Sequence, residues 1–387
     1  MLVYYQGNNY LDTYKQRYGK LNLSYWEEKY YFEDNDLVVI GAGIVGLSTA
    51  ITVKKLRPDL KVLVLERSTV PSGASTKNAG FACFGSVTEL ISDSVHMKYE
   101  DQIALLKMRW DGLKLLQSNV TLEDISYRSR GGVEVLEVDD VSQITALNDI
   151  NKYNEMVSDA IGLKDCFSIV DQYLSDSFHS KAIYNQYEGE LNPMHMMSSL
   201  ERKALKLGVN ILNGVDVQSV YSGVVNLVTR EIESPKIAVC TNGLSRVLLP
   251  QLALQAVRNQ VFVTELLVNN PLQSCYHFDQ GYVYFREIDN RILIGGARNL
   301  YSEQENTDQF GQTDNLKAYL KSFVEKRITK RPIHFEYEWS GILGVGETKE
   351  PIIEEVDKGL YVGARLGGMG VAIGSGVGLS LAEMVLS

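Results

Sequence analysis

The sequence predicts a mixed α/β fold, α+β overall, in which nucleotide-type α/β segments are interleaved with antiparallel sheet. In the first third of the chain, residues 38–56 read as a strand, a glycine turn and a helix, and a second strand ends at Glu66. From Leu254 to Ile342 the pattern becomes strand-rich, with turn residues between the apolar runs. A glycine-rich stretch and an apolar helix follow at residues 367–387, so nucleotide-type segments flank the antiparallel part.

The first element is predicted to be a dinucleotide-binding turn, because residues 38–46 contain an apolar strand, three spaced glycines and the start of a helix. Gly41 permits the sharp turn, Gly43 lets the backbone approach a pyrophosphate, and Gly46 lets the helix pack closely on the strand. The helix N-terminus offers N–H groups and a partial positive charge to the phosphates. Glu66 would accept hydrogen bonds from ribose hydroxyls and repel a 2′-phosphate, so NADP is disfavoured.

The later elements follow from the period of the apolar residues and from the turn residues. Helices are predicted over about residues 101–117, 141–161 and 193–208, with a last helix that begins near Gly374. Strands are predicted at residues 132–137, 209–212, 215–217, 236–240, 260–264, 282–286, 291–296 and 359–364, and those at 209–217 are expected to return to the first sheet. Asp289 and Asn290 mark a hairpin turn. The segments predict an N-terminal extension (1–34), a nucleotide-binding domain (35–100, 188–255 and 340–387) and a substrate domain (101–187 and 256–339).

Composition restricts the class of function. The 387 residues carry a formal net charge of −10, which argues against a broad nucleic-acid surface. A local basic patch stays open, from Lys54, Lys55, Arg57, Lys326, Arg327, Lys330 and Arg331. No apolar run reaches the roughly 18 residues of a membrane-spanning helix, and no secretory signal is apparent. The cysteines (Cys83, Cys166, Cys240 and Cys275) are scattered and the histidines isolated, so we expect reduced thiols in a cytoplasmic protein and no metal site.

The fingerprint alone does not distinguish FAD from NAD, but the distribution of glycine-bearing strand ends does. Such ends recur at residues 241–243 and 367–370, far from the fingerprint in the sequence. An NAD enzyme usually completes its cofactor site within one contiguous domain, whereas an extended flavin dinucleotide meets distant segments. The segments 41–46, 73–80, 257–261 and 367–378, in this order, resemble the D-amino acid oxidase family of FAD-dependent oxidoreductases, which includes glycine oxidase, sarcosine oxidase and D-amino acid dehydrogenase.

The resemblance implies a Rossmann-like FAD-binding domain with an interleaved antiparallel-sheet substrate domain above the flavin. It assigns the FAD contacts to Gly41, Gly43, Ile44, Val45, Gly46, Glu66, Arg67, Ser75, Thr76, Lys77, Asn78, Ala79, Gly80, Val217, Thr241, Gly243, Gly368, Met369, Gly370 and Val371. Backbone N–H groups of the last four would stabilise charge on the reduced ring. Some family members hold flavin covalently through a cysteine, which residues 344–347 lack here, so non-covalent FAD is expected.

The resemblance also implies the chemistry. A hydride passes from the carbon next to an amine nitrogen to flavin N5, and the resulting imine hydrolyses; the amine must be neutral, which a dry pocket favours. Leu343 stands where glycine oxidase has its carboxylate-binding arginine, and Ala372 stands where sarcosine oxidase has a lysine. The strand near Leu293 also lacks an oxygen-activating lysine, so a dehydrogenase is favoured over an oxidase.

A substitute for the missing cation is predicted on one strand of the antiparallel part. Tyr282, Tyr284 and Arg286 alternate and therefore share one face of that strand. Either this face is solvated, or Arg286 binds a substrate carboxylate with help from one of the tyrosines. Lys77 would bind substrate or activate oxygen, or else contact a phosphate or lie at the surface. Arg258 is expected to be structural.

The leading hypothesis is an FAD-dependent oxidoreductase of a small amine or amino acid, with oxygen or a quinone as an undetermined electron acceptor. Three alternatives remain: a flavoprotein acting on a modified tRNA base, a 2-hydroxy-acid dehydrogenase, and a non-catalytic flavoprotein whose substrate residues have lapsed. Nucleic acid is not favoured as a partner because of the acidic net charge.

Overall fold

A computed structural model describes residues 23–172 and 174–387 of the chain. The strands are β1 Leu37–Ile40, β2 Val62–Glu66, β3 Phe81–Ala82, β4 Gly132–Val135, β5 Phe167–Asp171, β6 Lys181–Asn185, β7 Gly189–Glu190, β8 Asn210–Asn213, β9 Val217–Tyr221, β10 Val224–Leu227, β11 Glu231–Glu233, β12 Ile237–Val239, β13 Gln255–Thr264, β14 Cys275–Phe278, β15 Val283–Ile288, β16 Arg291–Gly296, β17 Phe335–Val345, β18 Ile352–Asp357 and β19 Leu360–Ala364. The α-helices are Tyr25–Glu27, Ile44–Leu56, Ala74–Lys77, Val87–Asp93, Tyr99–Asn119, Val141–Asn148, Ile150–Ile161, Pro193–Lys206, Ser302–Glu305, Asp314–Phe323 and Gly370–Leu386. Glu28–Phe32 and Val324–Thr329 are π-helical, and Asn242–Val247 and Arg298–Tyr301 form 3₁₀ turns.

The first large sheet contains six strands in the order β18-β19-β12-β1-β2-β8. Neighbouring strands run parallel, except that β18 pairs antiparallel with β19. Successive residues of these strands face opposite ways: Val39 and Val64 pack among the helices, whereas Val38 and Leu63 belong to the core on the other face. Since both faces are covered, the strands read as unbroken apolar runs in the sequence.

The helices on the first face of this sheet determine where its carboxyl edge opens. Gly370–Leu386 packs against both Ile44–Leu56 and Tyr99–Asn119. The first contact is close, because a Cβ on Gly374 would lie 2.7 Å from Cγ2 of Ile44. The N-termini of Ile44–Leu56 and Gly370–Leu386 therefore lie side by side.

The second large sheet contains eight strands in the order β17-β13-β16-β15-β14-β4-β6-β5. Its pairs are antiparallel, apart from the parallel pair of β14 and β4. The predicted hairpin between β15 and β16 is confirmed: Asp289 and Asn290 have φ values of +48° and +58°, as a two-residue turn requires. Strands of the two large sheets alternate along the chain, and the division into domains itself stays a prediction.

Three predicted boundaries are wrong. β8 joins the first sheet as expected, but Val217 begins β9 of a separate antiparallel sheet, β11-β10-β9, in which β9 is largely exposed. The helix predicted over 141–161 divides at Asp149, where one helix ends and the next begins. The last helix begins at Gly370 rather than near Gly374, because Gly367 and Gly368, with φ of +58° and +90°, turn the chain just before it.

The predicted N-terminal extension is covered in part, since residues 1–22 lie outside the described residues. Residues 25–32 are helical and begin with a capping box between Ser24 and Glu27. Arg230 forms an ion pair of 2.9 Å with Glu28, which attaches this segment to the three-stranded sheet region. Within residues 23–172 and 174–387, no helix is both long and apolar enough to cross a membrane.

Candidate active site

Two adjacent cavities lie at the carboxyl edge of the parallel sheet. The larger has a volume of about 420 Å³ and the smaller about 180 Å³. Six residues line both of them: Ala74, Asn78, Leu343, Leu366, Gly368 and Val371. We call the smaller the nucleotide cleft and the larger the substrate cavity; an extended ligand that passes these shared residues would contact both.

The nucleotide cleft is built around the glycine turn after β1. Gly41 has φ of +102°, and a Cβ there would lie 2.9 Å from the Cys240 carbonyl oxygen. The Ala42 N–H donates to Glu66 Oε2 at 3.1 Å, which fixes this carboxylate at the end of β2, beside the cleft. A Cβ on Gly43 would lie 3.0 Å from Ser75 Oγ, so bare backbone faces this part of the cleft.

Helix ends supply the cleft with hydrogen-bond donors. In Ile44–Leu56 the first intrahelical bond runs from the Leu47 N–H to the Gly43 carbonyl, so the N–H groups of Val45 and Gly46 point beyond the helix end. Ile44 N–H donates to Ser75 Oγ at 3.0 Å, which ties the 73–80 loop to this end. A helix end of this kind binds phosphate groups, so the site fits the pyrophosphate of a dinucleotide.

Most of the predicted FAD contacts line one of the two cavities. These are Gly41, Gly43, Ile44, Val45, Glu66, Arg67, Ser75, Thr76, Lys77, Asn78, Ala79, Val217, Thr241, Gly368, Met369, Gly370 and Val371. Gly46, Gly80 and Gly243 do not line them; a Cβ on these three would lie 2.0, 2.2 and 2.5 Å from the carbonyl oxygens of Gly41, Leu191 and Leu343. These three glycines allow close packing behind the cleft and are not expected to touch the ligand.

The antiparallel sheet forms the far wall of the substrate cavity. Tyr282 and Tyr284, predicted to face the substrate, both line it, together with Asn259 of β13. The Asn259 amide donates to the Tyr284 hydroxyl at 2.8 Å, and burial raises the pKa of Tyr284 well above its usual range. Gly295, the cross-strand partner of Tyr284, makes room for this hydroxyl, because a Cβ there would lie 2.6 Å from it.

Arg286 is placed differently from the prediction. It is 5% exposed and lies outside both cavity linings. Its guanidinium pairs with Glu190 at 3.1 Å and donates to the carbonyl oxygens of Ala79 (2.8 Å) and Leu191 (3.4 Å). The alternation argument placed it on the tyrosine face, but a buried carboxylate from β7 neutralises its charge. These contacts favour a structural role for Arg286 over binding of a substrate carboxylate.

Other cations do line the substrate cavity. Lys77 lines it, and its carbonyl accepts a hydrogen bond of 2.8 Å from Trp339 Nε1. Arg298 stacks over the Tyr282 ring, 5.4 Å from the centroid, and was missed in the sequence because it follows β16 in a short 3₁₀ turn. The sequence offers one weak signal for this turn, the glycine at position 296. In the structure Gly296 and Ala297 both have positive φ and turn the chain out of the strand before Arg298.

A charged network closes the side of the cavity next to Val87–Asp93. Arg109 and Lys349 each approach Glu89, at 2.8 and 2.7 Å. Burial alone would raise the pKa of Glu89, but the two cations outweigh burial and lower it to about 2. Arg109 is therefore committed to a carboxylate, as Arg286 is. Arg258, expected to be structural, pairs with Glu305 at 3.0 Å.

A buried histidine also faces the substrate cavity. His277 Nε2 lies 2.8 Å from Glu188 Oε2. Cys83 is close to this pair, since its Sγ, a Glu188 carboxylate oxygen and a His277 ring nitrogen lie within 4.8 Å of one another. His277 is isolated in the sequence but has two titratable neighbours in the fold. No local pattern in the sequence could have shown this cluster, since its members come from three distant segments.

Comparisons with known proteins agree with this architecture. A family model described as FAD dependent oxidoreductase (DAO) matches residues 36–384. The probable oxidoreductase OrdL of Haemophilus influenzae is 23% identical over 415 aligned residues, covering 95% of this chain and 90% of that protein. Gamma-glutamylputrescine oxidoreductase of Escherichia coli is 24% identical over 368 residues, covering 90% and 83%. The crystal structure of L-proline dehydrogenase from P. horikoshii has a TM-score of 0.74 at 16% identity, covering 91% of this chain and 93% of that one.

Since the family match spans most of its length, the chain belongs to the DAO family of FAD-dependent oxidoreductases. The predicted family, fold class and flavoprotein nature are confirmed, and FAD is the cofactor that the family implies. The solved structure shares the fold.

Proposed function

We propose that this member of the FAD-dependent oxidoreductase family oxidises a small amine or amino acid at the carbon next to its nitrogen. The observation that carries the proposal is the adjacency of the two cavities: a nucleotide cleft with bare backbone and free helix N–H groups shares six lining residues with a cavity of about 420 Å³. A cavity of this size admits a small molecule or a single group of a larger one.

FAD, when bound, would supply the hydride acceptor, its N5 atom. The residues that would hold it without a covalent bond are the cleft residues Gly41, Gly43, Glu66, Ser75 and Val371, with the N–H groups at the start of Gly370–Leu386 available to stabilise negative charge. Non-covalent binding predicts that acid precipitation of the protein leaves all of its flavin in the supernatant.

The substrate would be held by the sheet wall. Tyr284, held by Asn259, and Tyr282 would orient the reacting end, and a substrate desolvated against this wall would favour the neutral amine. Arg298, beside Tyr282, replaces Arg286 as the cation proposed for a substrate carboxylate. The name of the relative gamma-glutamylputrescine oxidoreductase agrees with an amine whose carboxylate is distant from the reacting carbon.

A dehydrogenase is favoured over an oxidase. The β16 segment around Leu293 is buried and apolar, and it brings no lysine to the substrate cavity. We propose that electrons pass to an acceptor other than oxygen, such as a quinone. A cytoplasmic location is proposed as well, since the cysteines at positions 83, 166, 240 and 275 are all free thiols.

The tRNA alternative loses support from the basic residues on which it depends. Arg327 pairs with Glu137 at 2.8 Å and lies over the Phe178 ring, and Lys54 donates to the carbonyls of Pro58 and Leu60. These cations are engaged within the protein instead of forming a free patch for phosphates.

An anaerobic absorbance screen tests the proposal. The purified yellow protein is mixed with D- and L-amino acids, N-methyl amines, primary amines and 2-hydroxy acids, and bleaching of the flavin band is recorded. Bleaching by an amine or amino acid is expected, with slow recolouring when oxygen is admitted and fast recolouring with a quinone. Bleaching by 2-hydroxy acids alone would replace the proposal with that alternative, and no bleaching by any small molecule would support a non-catalytic role.

A further inference from the structure

Glu188 and His277 form a buried pair that the proposed chemistry has not yet used. Both line the substrate cavity, with exposed fractions of 1% and 8%. Glu188 Oε1 also accepts a hydrogen bond from the Asn185 amide at 3.3 Å, and the His277 ring meets Phe81 edge-on at 5.4 Å. The pair is therefore held rigidly at the wall, where a substrate nitrogen would meet it.

The surroundings of the pair are predominantly acidic. The titratable and charged groups around it are Glu134 on the neighbouring strand β4, Glu89 with its partner Arg109, and Cys83, Tyr127 and Tyr284. Burial alone would lower the pKa of His277, but Glu188, Glu134 and Glu89 outweigh burial and raise it. A positive charge on His277 is thus stabilised inside the cavity.

We propose that His277, held by Glu188, accepts the proton that a substrate ammonium must lose before it is oxidised. The inference rests on the proposed function. An N–H bond of the ammonium breaks, its electron pair remains on the substrate nitrogen as the lone pair, and the proton moves to the imidazole. The pair thereby changes from a net charge of −1 to zero, and the substrate nitrogen leaves the transfer uncharged.

The other groups at the wall are poor proton acceptors. Burial raises the pKa of Tyr284 and of Cys83, so both remain protonated and neutral near pH 7. The carboxylate of Glu89 is tied to Arg109 and Lys349. Two imidazoles line the cavity: His96 is exposed, whereas His277 is buried at the wall and held by Glu188, which makes His277 the acceptor suited to a desolvated substrate nitrogen.

The sign of the pH dependence follows from this assignment. His277 can accept a proton only after it has lost its own, so flavin reduction should accelerate as pH rises through its pKa. Because the carboxylates raise that pKa, the acid limb should lie above the ordinary histidine value of 6.5.

The test uses the FAD-loaded enzyme in anaerobic stopped-flow, with an amine that bleaches it in the screen. His277→Gln should lower the rate by roughly 10²-fold and remove the acid limb. A fluorinated analogue whose amine is already neutral at the assay pH should show little of this loss. Glu188→Gln should move the limb to lower pH, because it removes the charge that raises the pKa. His334→Gln is the matched control: it removes an exposed imidazole near Glu265, outside both cavities, and should change nothing.

A binding measurement supplies a readout that does not depend on turnover. Tert-butylamine has no hydrogen on the carbon next to nitrogen, so it can bind but cannot be oxidised. The change that it causes in the flavin spectrum measures its binding. In the wild type its affinity should be higher above the His277 pKa than below it, whereas in His277→Gln the affinity should not change across this pH range. Flavin content and melting temperature are checked for each variant.

The outcomes separate the inference from the function. If the wild type is bleached by amines but His277→Gln keeps the acid limb, or loses rate equally with both amines, the proton-acceptor role is wrong while the proposed function stands. If no amine bleaches the wild type, the proposed function fails and this inference falls with it.

Discussion

The nucleotide cleft and the wall of the substrate cavity are built in different ways. The cleft depends on backbone: Gly41 turns the chain, Gly43 leaves the backbone bare, and a helix end donates N–H groups. The cavity wall depends on side chains that meet from distant parts of the chain, such as Glu188 and His277, which are 89 residues apart. Backbone geometry is written into short local patterns, whereas side-chain pairing depends on which strands become neighbours.

The largest effect is expected where the backbone of the cleft leaves no room for a side chain. Gly46→Val would place a Cβ 2.0 Å from the Gly41 carbonyl oxygen and push the helix away from β1. We expect a protein that is insoluble or free of flavin, as measured by the ratio of FAD to protein in the purified material. Gly376→Ala is the matched control, since the nearest atom to its Cβ is 3.6 Å away. It should keep full FAD and gain up to about 1 kcal/mol of stability from helix propensity. A fully yellow Gly46→Val protein would contradict the close-packing role.

A second comparison concerns two arginines, one behind the wall and one on it. Arg286→Met would remove the most buried cation beside the Glu190 carboxylate and leave Arg130 at 3.3 Å as its nearest remaining cation, so it should cost about 2–4 kcal/mol of unfolding free energy in urea titrations. Arg298→Met removes a partly exposed cation and should barely change stability, but it should raise KM for a carboxylate-bearing substrate about 10-fold or more. The reverse result, with affinity lost in Arg286→Met and stability lost in Arg298→Met, would restore the original interpretation of the strand.

The sequence allowed the cleft to be predicted because its determinants are local. The strand, the three glycines and Glu66 lie within thirty residues, and the apolar periods of β1, β2 and Ile44–Leu56 are strong. The order of glycine segments then supplied the family resemblance, which the match over residues 36–384 confirms.

The same approach failed at the cavity wall for a physical reason. Alternation correctly put Arg286 on the face of Tyr284, but alternation cannot reveal that Glu190 of β7 lies under that face. His277 and Arg298 were missed likewise. The pairing of β14 with β4 and the 3₁₀ turn after β16 bring them into the cavity, and neither feature has a local signature in the residues around them.

A smaller effect is expected where one wall residue makes room for another. Gly295→Ala would place a Cβ 2.6 Å from the Tyr284 hydroxyl and displace it from Asn259. FAD binding should be unchanged, while flavin reduction should slow by roughly 10-fold, because a displaced wall misorients the substrate. The Cβ would also lie 2.7 Å from Tyr284 Cε2 and 2.8 Å from the Gln260 carbonyl oxygen. Adding Tyr284→Ala removes the whole ring, so the double variant should be only slightly slower than Tyr284→Ala alone. Additive losses would show that Gly295 acts on something other than this ring.

The smallest effect is expected at the rim of the cavity. Lys349→Met removes one of the two cations that face Glu89 and also the cation 2.7 Å from Asp93; since Lys349 is 40% exposed, the loss of stability near neutral pH should be about 1 kcal/mol. Since the folded-state pKa of Glu89 is lowered from 4.5 to about 2, its stabilisation is present above the unfolded value and is lost as pH falls between these values. Without Lys349 that pKa should rise, because only Arg109 still opposes the burial of the carboxylate, and the stability lost on acidification should shrink. Urea unfolding of both proteins at about pH 7 and about pH 3 measures this difference. An equal loss on acidification in the two proteins would mean that Arg109 alone holds Glu89 ionised, and that Lys349 is an exposed residue of little energetic consequence.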